Sequence, residues 1–152
     1  MLSLPEAKCV LYGKINDHVN ERWLSQWQSS NDCRQSKLWF PRQMPSHSRA
    51  LLSLSRFKLS RAVRWLSGHC HLRRQNNLVD PGSQPSILCR LCGTDRERAS
   101  HVLRDCEPIF RLRLGILGEL LLTPNSPWTP AQLNSFLSEE RIVGMEGSHE
   151  IE

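Results

Sequence analysis

Residues 89–106 read CRLCGTDRERASHVLRDC, and their spacing decides what holds this chain together. Cys89 and Cys92 flank two residues in a tight turn, His101 follows after eight intervening residues, and Cys106 after four more. Structural zinc takes four tetrahedral sulfur or nitrogen ligands, and a Cys-x-x-Cys turn delivers two of them from one bend. Gly93 supplies a residue that accepts positive φ just after the second cysteine, so the backbone can turn back on itself. His101 and Cys106 lie about one and a half helical turns apart, so a helix carrying His101 has to end near Cys106 if both are to reach one ion. Asp105 and Pro108 allow that break and the start of a new helix. Ordinary buried thiols beside a surface histidine are the plain alternative. A redox Cys-x-x-Cys is the other, but it needs a strand before it and a helix opening at the motif, whereas a Pro/Gly/Ser loop precedes Cys89 and Gly93 follows Cys92.

The remaining composition narrows the class. With 152 residues, 39% hydrophobic and 23% charged, the chain is globular in character. No apolar run approaches the ~20 residues needed to cross a bilayer, and the opening MLSLPEAKCVLYGK lacks the basic and apolar regions of a secretory signal. An intracellular setting, nuclear or cytoplasmic, is therefore expected, and metal binding outranks disulfides for the six cysteines. The net charge of +5 is unevenly spread: between Arg34 and Arg74 there are ten Lys or Arg residues and no Asp or Glu. Such clustering is the electrostatic footprint of a surface that meets nucleic acid, although a solvated basic face that touches nothing is a common alternative.

Hydrophobic periodicity predicts a mostly α protein. Ser3 and Glu6 fit a capping box for a long first helix, along which Leu11, Ile15, Val19, Trp23 and Trp27 recur every four positions as a packing stripe. The stretch after Asp32 is expected to be irregular, with Trp39 and Phe40 anchoring it on the core. From Ser48 to Gly68 two short helices are predicted, the first carrying Leu51, Leu52 and Leu54, the second burying Leu59, Ala62, Val63 and Leu66 and stopping at Gly68. Lys58, Arg61 and Trp65 then fall on the opposite face with Arg64 nearby, which sets a ring among cations; the alternative is that Trp65 caps the edge of the core while the arginines lie in solvent. His69, Cys70 and His71 are too close in sequence to converge on a second ion. After Cys106 a helix carries Ile109, Leu112, Ile116 and Leu120. Thr129, Pro130 and Gln132 predict a capping box for a last helix with Leu133, Phe136 and Leu137.

Taken together, RQSKLWFP, LLSLSRFKLSRAVRWLSGHCHLRR, CRLCG and SHVLRDC resemble the end of non-LTR (LINE-type) retrotransposon polyproteins. There a reverse transcriptase and a ribonuclease H domain are followed by a tail with a basic helix, a Gly-His turn and a Cys-Cys-His-Cys zinc-knuckle-like motif. The resemblance spans roughly residues 4–137. It implies Cys89, Cys92, His101 and Cys106 as the ligands of Zn2+, and matches Gly68 with His69 to the turn. Three positions depart from the family pattern: Arg98 stands where a threonine follows the glutamate, Gln75 where a histidine is usual, and the proline after the last cysteine is displaced to Pro108.

The expectation is thus a small helical domain with a Cys-Cys-His-Cys zinc-knuckle-like unit. Its parts are a basic helical region over 1–78, the zinc unit and following helix over 79–122, a C-terminal helix over 123–142, and a disordered acidic tail over 143–152. The expected function is a zinc-stabilised nucleic-acid-binding module derived from a retrotransposon polyprotein. RNA or single-stranded DNA is the partner, together with the reverse transcriptase and ribonuclease H parts of that polyprotein, and no membrane. Candidate nucleic-acid contacts are Arg34, Lys37, Lys58, Arg61, Arg64, Trp65, Arg73 and Arg74. The alternatives are a zinc-stabilised protein-interaction scaffold and a non-functional decayed fragment. No catalytic residues and no organic cofactor are expected: ribonuclease H chemistry needs four carboxylates gathered around two metal ions, and Glu6, Asp17, Glu21 and Asp32 lie on a helix and a loop.

Overall fold

A computed structural model describes residues 4–118 and 128–146, with side chains from residue 7. It is helical, and among the described residues there is no strand beyond one isolated bridge between Leu88 and Arg96. Helices α1 (Leu4–Ser29), α2 (Arg34–Trp39), α3 (Pro45–Leu52), α4 (Arg56–Ser67) and α5 (Arg73–Val79) precede the cysteine loop. After it come one π-helical turn (His101–Asp105), a 3-10 turn (Glu107–Ile109), α6 (Phe110–Leu117), α7 (Pro130–Leu137) and α8 (Glu140–Glu146). No helix among the described residues is long and apolar enough to cross a membrane.

Helix α7 is the hub, packing against α3, α4, α6 and α8. Its start is the predicted capping box: Thr129 Oγ1 accepts from the Gln132 N–H at 3.2 Å, and Gln132 Oε1 accepts from the Thr129 N–H at 2.9 Å. Two of the N–H groups that a helix start leaves unpaired are thereby satisfied. Leu133, Phe136 and Leu137 are buried as expected, and Trp128 meets Phe136 edge-to-face at 4.8 Å. Gly68 ends α4 at φ 83°, where a Cβ would stand 3.1 Å from Gln35 Cγ, so both the handedness and the space favour glycine.

Several expectations shift. On α4 the buried face is Ala62, Trp65 and Leu66, while Val63 is exposed. The largest side chain turns inward and carries the stripe with it. Leu51 is buried but Leu52 is exposed. The stretch after Asp32 is not irregular throughout, since α2 spans six of its residues and seats Trp39 in the core. Helix α5 was not expected from its polar sequence RRQNNLV. Along α1, Leu11, Ile15 and Val19 are exposed, and only Trp23 and Trp27 are half-buried, so the stripe packs at its C-terminal end alone. Helix α6 stops at Gly118 (φ 70°), short of Leu120, which lies outside the described residues, as do Ser3 and the side chain of Glu6. The packed part of the chain also runs past residue 142: Met145 on α8 is buried, while 147–152 lie outside the described residues.

Candidate metal centre

The cysteine loop folds as a short hairpin. The Glu97 N–H donates to the Ile87 carbonyl at 2.8 Å, and the Cys89 N–H to the Asp95 carbonyl at 2.7 Å. The Gly93 N–H closes on the Cys89 carbonyl at 2.7 Å, with Gly93 at φ 70° as its position predicts. Backbone N–H groups of Leu91 and Cys92 face the Cys89 sulfur, and those of Thr94 and Asp95 face the Cys92 sulfur. The remaining two groups arrive on the π turn. In an α-helix, residues five apart sit about 140° away from each other round the axis. Here the Cys106 N–H bonds to the His101 carbonyl five residues back, at 2.9 Å, and the widened turn brings both side chains to one place.

The ligand atoms of Cys89, Cys92, His101 and Cys106 all lie within 4.8 Å of one another. The Cys89 and Cys106 sulfurs are 3.8 Å apart, and Cys92 Sγ is 3.3 Å from His101 Nε2. A tetrahedron with metal–sulfur bonds of ~2.3 Å has an edge of ~3.8 Å, so the spacing fits one ion. His101 points Nε2 at the sulfurs, and its Nδ1, which makes no aligned hydrogen bond, lies 3.4 Å from Asp95 Oδ2. A carboxylate behind the second ring nitrogen is the usual way a metal-bound histidine is oriented. This cluster could hold a metal ion, and among the described residues no other Cys, His, Asp and Glu group converges in this way. Cys70 stays a structural thiol: it is buried, and burial pushes it up to about 12.

The donors are not equivalent electrostatically. Burial pushes the Cys89 and Cys106 thiols up; the neighbouring Cys89 raises Cys106 further, whereas the Cys106 thiol and the N–H groups of Cys92 and Leu91 partly offset the rise at Cys89. For Cys92 the opposing cost of burial is outweighed by the Thr94 hydroxyl (3.2 Å), the N–H groups of Asp95 and Thr94, and the His101 ring, which draw it down to about 6. Cys92 is thus the readiest of the three thiols to ionise, and a bound cation would favour ionisation of the other two. Three thiolates, one imidazole and a divalent ion would sum to one negative charge. Arg113, buried on α6 with Nη1 donating to the Val102 carbonyl at 3.2 Å, carries a positive charge facing Cys106 and Asp105.

Sequence reasoning missed Glu97 as a structural residue. It is fully buried, and its carboxylate accepts from the N–H groups of Arg73 (3.0 Å) and Arg90 (2.9 Å) and from the Arg90 guanidinium (2.8 and 3.0 Å). One carboxylate thus ties the start of α5 to the cysteine turn. Burial alone would raise its pKa, but Arg90 and the two N–H groups hold it below the usual carboxylate value. With the folded value depressed, its contribution is full above the unfolded pKa of ~4.3 and is lost as pH falls through the folded value. Glu97→Gln is expected to cost about 3 kcal/mol at neutral pH, the low end for a broken buried pair because Arg90 is 31% exposed and can turn to water. In urea titrations the gap to the unmodified protein should narrow below pH ~4. A gap independent of pH would show that the carboxylate charge is not what matters.

The other candidate contacts separate into two groups. Arg34 and Lys58 are exposed, and Lys37 lies half-exposed with its ammonium 5.6 Å from the Trp27 ring centroid. Arg61, by contrast, is ion-paired to Glu146 of α8, and Trp65, 0% exposed, donates its indole N–H to the same carboxylate. Trp65 therefore presents no face for a base to stack on. Arg64 is half-buried, and Arg73 donates to the Leu88 carbonyl at 3.2 Å while the Arg74 N–H donates to the Glu97 carbonyl. The signal for Arg61 and Trp65 was a glutamate 81 residues beyond Trp65, which no local pattern could point to. No family model, curated protein or solved structure matches this chain.

Proposed function

We propose that this chain is a zinc-stapled helical module that binds single-stranded nucleic acid, as the tail of a non-LTR retrotransposon polyprotein. The convergence of Cys89, Cys92, His101 and Cys106 within 4.8 Å carries the first half. Zn2+ would supply structural cross-linking there rather than chemistry, because all four positions belong to protein side chains and none is left open. Support for the second half comes from Arg34, Arg42, Arg49, Arg56 and Lys58, which are solvent-exposed within a segment that contains no acid. Within that segment Arg61 is ion-paired with Glu146, and these five cations lie outside that pair.

If those five cations each neutralise a phosphate, log affinity for a single strand should fall with log salt at a slope of about −3.5. Replacing Arg42 and Lys58 by glutamine should flatten the slope to about −2 for every base composition alike, read by anisotropy of a labelled oligonucleotide. Absence of salt-sensitive binding by folded, zinc-loaded protein would refute the nucleic-acid half. One observation favours the scaffold reading instead: Val10, Leu11, Tyr12, Ile15 and Val19 are all exposed on α1. Its distinguishing result is a protein that co-purifies free of nucleic acid and is lost on replacing Leu11 and Ile15 by serine.

A further inference from the structure

A cleft of about 390 Å³ opens beside the C-terminal end of α1, at the connection between α2 and α3. That volume lies within the range of small-molecule sites. Its walls are the rings of Trp23, Trp27 and Phe40 together with Met44, and its polar contributors include Arg42 and Gln43. The aromatic wall is held in place. Trp23 and Trp27 stack at 5.4 Å and 17°, and the Trp27 indole N–H donates to the Phe40 carbonyl at 2.7 Å, which binds α1 to the end of α2. Arg42 lines the cleft, and two more cations lie next to its lining residues: Lys37 sits over the Trp27 ring with its ammonium also donating to the Ser30 carbonyl, and Arg49 donates to the carbonyl of Pro45. Among the described residues no acidic side chain lines it.

The geometry points to this cleft as a base-binding site, in which one unpaired nucleobase of a bound single strand lies against the Trp23, Trp27 and Phe40 rings while Arg42, Lys37 and Arg49 take the flanking phosphates. The inference rests on the nucleic-acid reading above and adds to it where the strand is gripped by something other than charge. An aromatic wall ringed by cations fits a strand better than an apolar peptide, since each base offers a π face and each phosphate a negative charge. Gln43 can both donate to and accept from a base edge, so a preference among bases would arise there. The role that Trp65 cannot fill thus passes to Trp23 and Trp27, whose rings are half-exposed.

The test compares two strands of about ten nucleotides, within the span one small module covers, on the zinc-loaded full chain: oligothymidine and an abasic strand of the same length. Base–aromatic stacking is worth ~1–3 kcal/mol per base, about 5- to 150-fold in affinity. The unmodified protein should therefore prefer oligothymidine by a factor in that range, with the same salt slope for both strands. Trp23→Ala should erase the preference and leave the slope unchanged. Photo-crosslinking of a 5-iodouracil strand to the unmodified protein needs no variant, and should map to Trp23, Trp27 or Phe40. Equal affinity for the two strands at a normal salt slope would overturn the base site and leave the nucleic-acid reading standing. Failure to bind either strand would remove both. Crosslinks confined to other residues, or a proline-rich peptide that displaces nothing yet shifts tryptophan emission, would assign the cleft to another partner.

Discussion

Stripping the metal, by chelation or by Cys106→Ser, is expected to release the 87–106 loop first and then to loosen the packing of α6. Structural zinc in small peptides contributes an apparent ~10–16 kcal/mol near neutral pH, more than the ~5–15 kcal/mol by which a whole domain is usually stable. The loop has little else to hold it: one bridge, a few backbone bonds and the Glu97 latch. Yet it is not an appendix, because Cys89, Val102, Leu103, Cys106 and Ile109 belong to the same buried cluster as Trp65 and Phe136. The expected pattern in hydrogen exchange is therefore graded. The N–H groups of Cys89, Gly93 and Cys106, bonded to Asp95, Cys89 and His101 carbonyls, lose protection first. Those of α4 and α7 keep part of theirs. Binding needs thiolates and a neutral imidazole, so acid should release the ion as well. Unchanged protection at those three amides after complete metal removal would mean that the hairpin stands by itself.

Trp65→Ala is expected to cost about 3–5 kcal/mol of stability, the usual range for deleting a large buried aromatic. For a chain of this size that corresponds to a fall in Tm of roughly 6–20 °C. The reason lies in what surrounds the ring. Trp65 is fully buried in the core, and its N–H, together with the Arg61 guanidinium, holds the Glu146 carboxylate of α8. Truncation leaves a cavity and takes one donor from a half-buried carboxylate. Trp65→Phe keeps most of the volume, and that variant should remain folded with strand affinity unchanged. A folded Trp65→Phe protein with affinity lowered tenfold or more would put the ring at the nucleic-acid surface, contrary to its burial.

What was legible in the sequence was local. The ligand set could be read because Cys89, Cys92, His101 and Cys106 lie within eighteen consecutive residues, so spacing alone limits the geometry. The cap at Thr129 and Gln132 and the stop at Gly68 depend on neighbours one turn away. What was missed depends on distant partners. Trp65 looked like a ring among cations because its acceptor comes from Glu146, and α5 drew no expectation because its start is held by Glu97. The α1 stripe was equally visible, but periodicity states that a face is apolar, not that anything covers it. Leu11, Ile15 and Val19 show the difference. The π turn is a middle case: five-residue spacing required some departure from an α-helix, and the Cys106-to-His101 bond is the form it took.

The most direct test of the central claim is native mass spectrometry of protein purified without added metal, paired with elemental analysis. The account predicts one zinc ion per chain, retained by the unmodified protein and lost from Cys92→Ser and Cys106→Ser alike. A folded, monodisperse protein whose mass is that of the metal-free chain, with the four ligand side chains intact and reduced, would contradict it.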